Sequence, residues 1–457
     1  MGRLYNKAIY NFDEPVKSYW EAVSSPDQSN FPTLVGDHEC EVAVIGGGFT
    51  GISTAYHLAK DYNSDVRLLE AGHLGWASSG RNAGFVCIPA TKLSINQLFK
   101  TYGEDETKLF FKSQIEGVDL LQEIINEHNI ECEQAGTGNY DVAHHPTAVD
   151  ELRSWGDDLQ KHFDIKTKWL PQEEFNEVGH KSTEQYGAVW MEPGFAMNPL
   201  AFLSGFANAA HNLGVKIHAR SNVIKWEKHE GVHNLITKEG SLKAKKVVMA
   251  TNGYTDEKLN KSFAGRIMPV LSNIIITREM SDEEFDLQSY KTLTPICNSR
   301  EVLYYYRRMP KTSSGGNRFL FGTRGDTKGD DNSAMKMKEY MTKCFRGVFP
   351  NWESVDIEYY HRGTIVYTAD WTPSVGSLPE DPSVFFSYGY SANGNNSTLI
   401  CGKMLSKLIC ASNSGEVNLP AVYRGLSPKF PFPFLRLWYL RFMLSYYRYF
   451  EQNKREL

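Results

Sequence analysis

Residues 40–70 read C-E-V-A-V-I-G-G-G-F-T-G-I-S-T-A-Y-H-L-A-K-D-Y-N-S-D-V-R-L-L-E. An apolar run, Val42–Ile45, meets Gly46, Gly47 and Gly48; Gly51 opens a segment with helical spacing, and a second apolar run ends at Glu70. A strand, a glycine turn, a helix and a second strand ending in an acid, all within about 30 residues, confine this stretch to a parallel βαβ unit that binds a dinucleotide. Gly46 permits the tight turn, Gly48 lets the backbone approach a pyrophosphate, and Gly51 lets helix and strand pack closely. Phe49 and Thr50, between the glycines, are expected to contact the cofactor with them, and the helix that follows offers free N–H groups and a positive dipole end to phosphate. Glu70 accepts hydrogen bonds from a ribose diol.

The 457 residues suffice for two or three domains, and the net charge of -5 argues against nucleic acid as a main partner. The polar first 31 residues contain no signal-peptide pattern, and nowhere does an apolar run reach the roughly 18 residues of a membrane span. The seven cysteines are odd in number and none forms a C-x-x-C, so neither a disulfide framework nor a metal site is expected. The adjacent His144 and His145 have no third ligand at metal-site spacing and read as polar loop residues. A cytoplasmic setting follows as the default.

Residues 1–39 read as an irregular leader, with Tyr19, Trp20 and Phe31 packing onto the body. Residues 106–128 and Asn198–Leu213 show helical spacing, the latter with Pro199 in its first turn. Val215–His218, Val223–Trp226 and His233–Thr237 read as strands, and Lys245–Thr251 as a buried parallel strand that brings the chain back to the nucleotide domain. Residues 262–365 are rich in aromatic and β-branched residues and predict an antiparallel sheet in a second domain; Asn396–Ile409 reads as a helix. The expected division is a discontinuous nucleotide domain of 40–90, 190–262 and 362–412, a substrate domain of 91–189 and 263–361, and a C-terminal helical extension of 413–457.

Six motifs in order carry a family resemblance: Gly46–Gly51 with Glu70, Gly75–Gly84 (G-W-A-S-S-G-R-N-A-G), Glu192–Pro199 (E-P-G-F-A-M-N-P), Val247–Tyr254 (V-V-M-A-T-N-G-Y), Asp370–Gly376 (D-W-T-P-S-V-G) and Gly389–Gly394 (G-Y-S-A-N-G). Together the chain resembles the FAD-dependent D-amino-acid oxidase/glycine oxidase/sarcosine oxidase family, most of all its gamma-glutamylputrescine oxidase branch. The resemblance implies an α/β fold: a Rossmann-like FAD-binding domain of the glutathione-reductase type with an α+β substrate domain. It also implies oxidation of the C–N bond of a small amine or amino acid by hydride transfer to flavin, with oxygen or another acceptor taking the electrons. Two other readings stay open: a flavoprotein that matures a partner protein, and a quinone-linked dehydrogenase at a membrane.

In the family's arrangement Ser78, Ser79, Gly80, Arg81, Asn82 and Ala83 lie beside the flavin, Val223 supplies backbone contacts to adenine, and Thr251, Asn252 and Gly253 turn beneath the pyrophosphate. Gly389, Tyr390, Ala392, Asn393 and Gly394 lead into the last helix, whose N-terminus faces the flavin pyrimidine. The family's usual Gly-Tyr-Ser-Gly-His-Gly is here Gly-Tyr-Ser-Ala-Asn-Gly, so Asn393 replaces a chargeable histidine. Branches that attach FAD covalently use a cysteine where this chain has Ile365, or a histidine that the Arg81–Gly84 loop lacks. Non-covalent FAD is expected.

For the substrate pocket the candidates are Tyr304, Tyr305, Tyr306, Arg307, Arg324 and His361, with catalytic roles expected for Tyr305, Tyr306, Arg324, His361 and Asn393. Alternation puts Tyr304 and Tyr306 on one face of their strand and Tyr305 and Arg307 on the other. A cation at Arg324 suggests a substrate with an acidic group. Phe430–Phe450 is dense in aromatics with interspersed arginines: a helix packed on the body, or an interfacial helix in peripheral contact with a membrane.

Overall fold

The computed structural model describes residues 3–24, 27–312, 316–391, 393–412 and 417–453. The glycine motif lies at the centre of an eight-stranded sheet. Asp381–Tyr388, Gly240–Met249, Gly36–Ile45, Val66–Leu69 and Lys216–His218 run side by side in that order, all parallel. Ser374–Leu378 closes one edge antiparallel, and the hairpin Lys225–His229/Val232–Ile236 attaches to Gly240–Met249. The central strands are buried on both faces, which is why Val42–Ile45 and Val247–Met249 are unbroken apolar runs. Helices Phe49–Tyr62, Pro199–Asn212 and Asn395–Cys410 cover one face.

The second sheet is also eight-stranded. Its order is Ile357–Thr368, Ile267–Thr277, Phe319–Arg324, Tyr304–Arg308, Ile296–Asn298, Asn139–Val142, Ala188–Met191, Thr167–Leu170, with Ile296–Asn298 and Asn139–Val142 the single parallel pair. One face packs on helix Asp331–Val348 through a dense aromatic cluster that includes Tyr306, Phe319, Phe321, Phe345, Phe349 and Trp352. The other face turns toward the first sheet and the leader.

Four expectations change. Helix Glu104–Glu127, expected within the 91–189 part of the substrate domain, packs against Asn395–Cys410 instead; Phe110, Phe111, Val118 and Leu121 join the core of Ile52 and Leu58. Its apolar stripe needs an apolar partner, and Gly117 lies so close to the facing helix that a Cβ there would stand 2.9 Å from the Asn396 carbonyl oxygen. The division expected between 361 and 362 falls inside one continuous strand, Ile357–Thr368. Val223 is not in a strand: the strand begins at Lys225, and Val223 lies in the irregular turn before it. The first strand starts at Gly36, earlier than the apolar run, because hydrogen bonding to Gly240–Met249 continues through its polar residues.

The leader is pinned rather than merely adjacent. Trp20 Nε1 donates to the Asn82 carbonyl (2.8 Å), and Trp76 Nε1 donates to the Glu14 carbonyl (2.8 Å). At the other end, helix Arg436–Asn453 buries Leu440 and Leu444 against Met268, Val270 and Tyr367.

Candidate cofactor and substrate cleft

A two-limbed cleft runs from the glycine turn to the second sheet. The first limb, about 810 Å³, is lined by Gly46, Gly48, Glu70, Val223, Thr251, Asn252 and Gly253, with Arg3 and Phe12 from the leader. The second, about 1040 Å³, is lined by Arg81, Asn82, Ala83, Tyr305, Arg324, Tyr390, Asn393 and Gly394 among others. Ser78, Ser79, Asn252 and Thr364 line both, so the limbs are continuous.

The first limb is made of backbone. Gly46 has φ +109°, and a Cβ there would lie 2.7 Å from the Ala250 carbonyl oxygen; at Gly48 it would meet Ser79 Oγ at 2.8 Å. At Gly51 a Cβ would collide with the Gly46 carbonyl. Glu70 is buried, its two oxygens accepting from Gly47 N–H (2.6 Å) and Gly72 N–H (3.0 Å), and burial raises its carboxyl above the usual range. Asn252 Oδ1 accepts from the Gly389 N–H (3.1 Å), tying the Thr251–Gly253 turn to the last motif. Thr50 is buried behind the limb; its hydroxyl meets that of Tyr390 (2.7 Å), which also meets Ser387 Oγ (2.6 Å).

The loop 78–84 forms the joint. Ser79 Oγ accepts from Phe49 N–H (3.1 Å) at the helix start, and Ser78 Oγ donates to the Thr364 carbonyl (2.7 Å) of the second sheet. Gly80 has no room for a side chain against Gly75. Arg81 is buried: its guanidinium sits 4.5 Å over the Trp76 ring and donates to Tyr254 Oη (2.7 Å), while its Nε meets no acceptor.

The sheet limb follows from strand register. Opposed residues share a face, and His361, Ile274, Gly322, Tyr305, Cys297 and Asp141 oppose one another across six strands. Two positions along, Gly363, Ser272 and Arg324 form a second row, with Leu303 beside them. Ile274, Tyr305 and Cys297 from the first row line the cleft, and so does the whole second row. Tyr305 Oη pairs with Ser272 Oγ (2.8 Å), and burial pushes its phenol up to about 12, so it stays neutral. Its ring lies over Gly322, where a Cβ would overlap it. Arg324 is 7% exposed, and among the described residues no acceptor or carboxylate meets its guanidinium, which stands 5.5 Å from the Tyr367 ring. Asp141 ends the first row, and burial pushes its carboxyl up to about 7. Lys92 nearby is exposed to solvent, and neighbouring protein and then Arg324 lower its amine from the usual lysine value.

Three expected catalytic residues are placed otherwise. Tyr306 points to the opposite face, into the aromatic core, with its hydroxyl on His180 Nε2 (3.1 Å), because neighbours along a strand alternate. His361 shares the cleft face but is capped by the 78–84 loop: its Nε2–H donates to the Arg81 carbonyl (3.1 Å), and burial lowers it to about 4, leaving it neutral. Asn393 reaches the cleft, yet its amide already donates to the Pro89 carbonyl (2.6 Å) and faces the Cys87 thiol (3.5 Å), which makes it a positioning group. Ala392 lies outside the described residues. Arg307 is buried beneath Trp20 and donates to the Met197 carbonyl (2.8 Å). His144 and His145 bond to Ser299 and Thr147, and no metal-binding cluster exists among the described residues.

The residues fit FAD. An elongated cleft with a glycine cradle and a buried acid at one end, joined to a wide, apolar second limb, suits a long dinucleotide with a flat ring at its far end. Sequence reasoning missed Ser272, Ile274, Cys87, Cys297, Leu303, Thr364 and Asn395, all of which line the second limb. The alternation in Ile267–Thr277 could have found Ser272 and Ile274 once its partner strand was known.

A family model described as FAD dependent oxidoreductase matches residues 41–408. The chain is 27% identical over 426 residues to gamma-glutamylputrescine oxidoreductase of Escherichia coli (strain K12), covering 92% of this chain and 94% of that protein. It is 28% identical over 425 residues to the probable oxidoreductase OrdL of Haemophilus influenzae, covering 91% and 94%. Among solved structures, glycine oxidase from Geobacillus kaustophilus superposes with a TM-score of 0.67 at 19% identity over 86% of this chain and 100% of that one. This last likeness concerns the fold.

Proposed function

Because the chain belongs to the family of FAD-dependent oxidoreductases, we propose that it oxidises the C–N bond of a small amine or amino acid bearing an acidic group. The parallel sheet holds the cofactor non-covalently, and the second sheet holds the substrate. Gly46, Gly48, Glu70 and Thr251–Gly253 grip the ADP half, and the 78–84 loop with Tyr390, Asn393 and Gly394 surrounds the flavin. Bound there, FAD supplies the hydride acceptor.

The observation that carries the reading is Arg324, a buried cation lining the cleft with no partner among the described residues. An unpaired buried charge is costly unless a ligand completes it. A substrate carboxylate or phosphonate does so and fixes the carbon bearing the amine. Tyr305 donates or accepts one hydrogen bond from the adjacent row, and Ile274, Leu303 and Ile365 exclude water. No described residue lining this limb is Asp, Glu or His; its charged side chains are Arg81 and Arg324. Two cations in an apolar cleft disfavour an ammonium. The amine is therefore held neutral, so that as the hydride leaves carbon the nitrogen lone pair forms the C=N bond. The iminium ion so formed is hydrolysed by water to a carbonyl compound and a protonated amine or ammonium.

The test is anaerobic. Purified yellow protein is mixed with N-alkyl amino acids, gamma-glutamyl amines, aminophosphonates and simple polyamines, and the visible flavin absorbance is followed. Bleaching by acidic amines and not by polyamines is expected, and admitting oxygen then distinguishes an oxidase from a dehydrogenase by the return of colour. Bleaching by no amine at all refutes the reading.

A further inference from the structure

Helix Arg436–Asn453 has two faces of opposite purpose. Leu440 and Leu444 pack onto the second sheet, and Arg436 is fully buried, with Nη1 2.7 Å from Glu257 Oε1. On the other side Trp438 and Phe442 are 65% and 71% exposed, and Tyr446 and Tyr449 are exposed beside them. At about 100° per residue these four fall within an arc of about 80°. Just before the helix, Phe432 and Phe434 are 66% and 61% exposed. Six large exposed aromatics within 18 residues are more than the scattered apolar residues a protein surface ordinarily carries.

The charge around them is mainly positive. Residues 428–453 contain Lys429, Arg441 and Arg448 besides the buried, Glu257-paired Arg436, against one acid, Glu451, in a chain whose net charge is -5. Arg441 stacks 5.3 Å from the Trp438 ring centre, at the flank of the aromatic arc. Arg448 lies on the same flank, 4.7 Å over the Tyr340 ring, and its Nη2 donates to the Arg324 carbonyl (3.4 Å). Lys328 and Lys336 line the adjoining groove with both arginines; Asp326 in that groove is paired with Arg362 (2.9 Å) and Asp330 caps the next helix, accepting from Ser333 N–H (2.7 Å).

We infer that this surface docks the enzyme on an anionic lipid bilayer, the aromatic arc entering the headgroup boundary and Arg441, Arg448 and the neighbouring lysines meeting lipid phosphates. Amphipathic aromatic rings favour that depth, and long basic side chains reach from its edge to the headgroups. No described helix is long and apolar enough to cross a membrane, so the contact is peripheral. Through Arg448 the docked helix is one hydrogen bond from the residue proposed to hold the substrate's acid. The inference itself rests on the helix surface and does not require the amine chemistry.

The test is flotation of the full-length holoenzyme with vesicles of phosphatidylcholine alone or with phosphatidylglycerol added to one third. The protein is expected to float with the anionic vesicles, several-fold less with the neutral ones, and less again in high salt. The double variant W438S/F442S alters only exposed positions; it is expected to keep its flavin spectrum and melting temperature and to lose binding at least 10-fold. Light scattering of both proteins without lipid supplies the rival outcome. Failure of the native enzyme to float with anionic vesicles overturns the inference. So does equal flotation of the double variant, or a native dimer that the variant converts to monomer, which would make a second copy the occupant.

Discussion

In the first limb of the cleft, contacts come from main chain and from the absence of side chains: Gly46, Gly48 and Gly51 each leave space that a single Cβ would fill. In the second limb they come largely from side chains on two rows drawn from five strands of one sheet. On the proposed assignment, a cofactor common to many enzymes is held by features that side-chain replacement hardly touches, while substrate choice rests on positions that can vary without disturbing the grip. The limb that recognises an invariant molecule is nearly free of chemistry, and the other is nearly free of backbone constraint.

A side chain placed in the first limb should do the most damage. Gly51→Ala places a methyl on the Gly46 carbonyl. Stability is expected to fall by about 3 kcal/mol, and the protein to purify colourless; FAD stoichiometry from visible absorbance and the thermal midpoint check it. Retention of full FAD at native stability would show that the turn has slack.

Next in size is Arg324→Met, which keeps length and removes charge. kcat/KM for acidic amines is expected to fall about 100-fold, equivalent to about 2.7 kcal/mol of lost binding in the transition state, with bound FAD unchanged. An equal loss for neutral amines would mean that Arg324 supports the cleft and does not read the substrate.

A smaller effect is expected from pH. Below about 7 Asp141 is protonated; above it Asp141 is an anion. The field around Arg324 therefore becomes less positive as pH rises through 7. KM for an acidic substrate is expected to rise, by up to about tenfold, across pH 6–8. Asp141→Asn should flatten that rise, and steady-state kinetics with one substrate at several pH values measure it.

The two neighbouring tyrosines separate the faces most finely. Tyr305→Phe is expected to change KM a few-fold with the thermal midpoint unmoved. Tyr306→Phe is expected to leave kinetics alone and cost about 1 kcal/mol through the lost bond with His180. The reverse pattern would invert the sheet's assignment of faces.

The same contrast explains what could be read from the amino-acid sequence. The glycine turn, Glu70, the helix after them and the return strand Lys245–Thr251 are local signals, each decided by neighbours within a few residues, and the order of six such motifs identified the FAD-dependent oxidoreductase family and its cofactor. Tyr305 and Tyr306 were assigned correctly to opposite faces, but which face met the cleft depended on the pairing of their strand with Phe319–Arg324 and Ile296–Asn298. Such register is a long-range property. His361 was similarly out of reach: its strand position faces the cleft, and only the loop from residues 78–84, nearly 280 positions away in sequence, covers it. Helix Glu104–Glu127 announced its own amphipathic face but not which of two layers would bury it. The leader's contribution through Arg3 and Phe12 had no local signature at all.

Gly322 never touches the cleft, yet it decides how wide the cleft is. The Tyr305 ring rests in the space that any side chain at 322 would occupy, so even a methyl would push the phenol outward, toward the substrate. The floor of the binding site is thereby adjustable from beneath, by a position that no inspection of lining residues would select. Lineages or engineers seeking room for a bulkier amine, or a tighter seat for a smaller one, have in this strand pair a control separate from every group that binds.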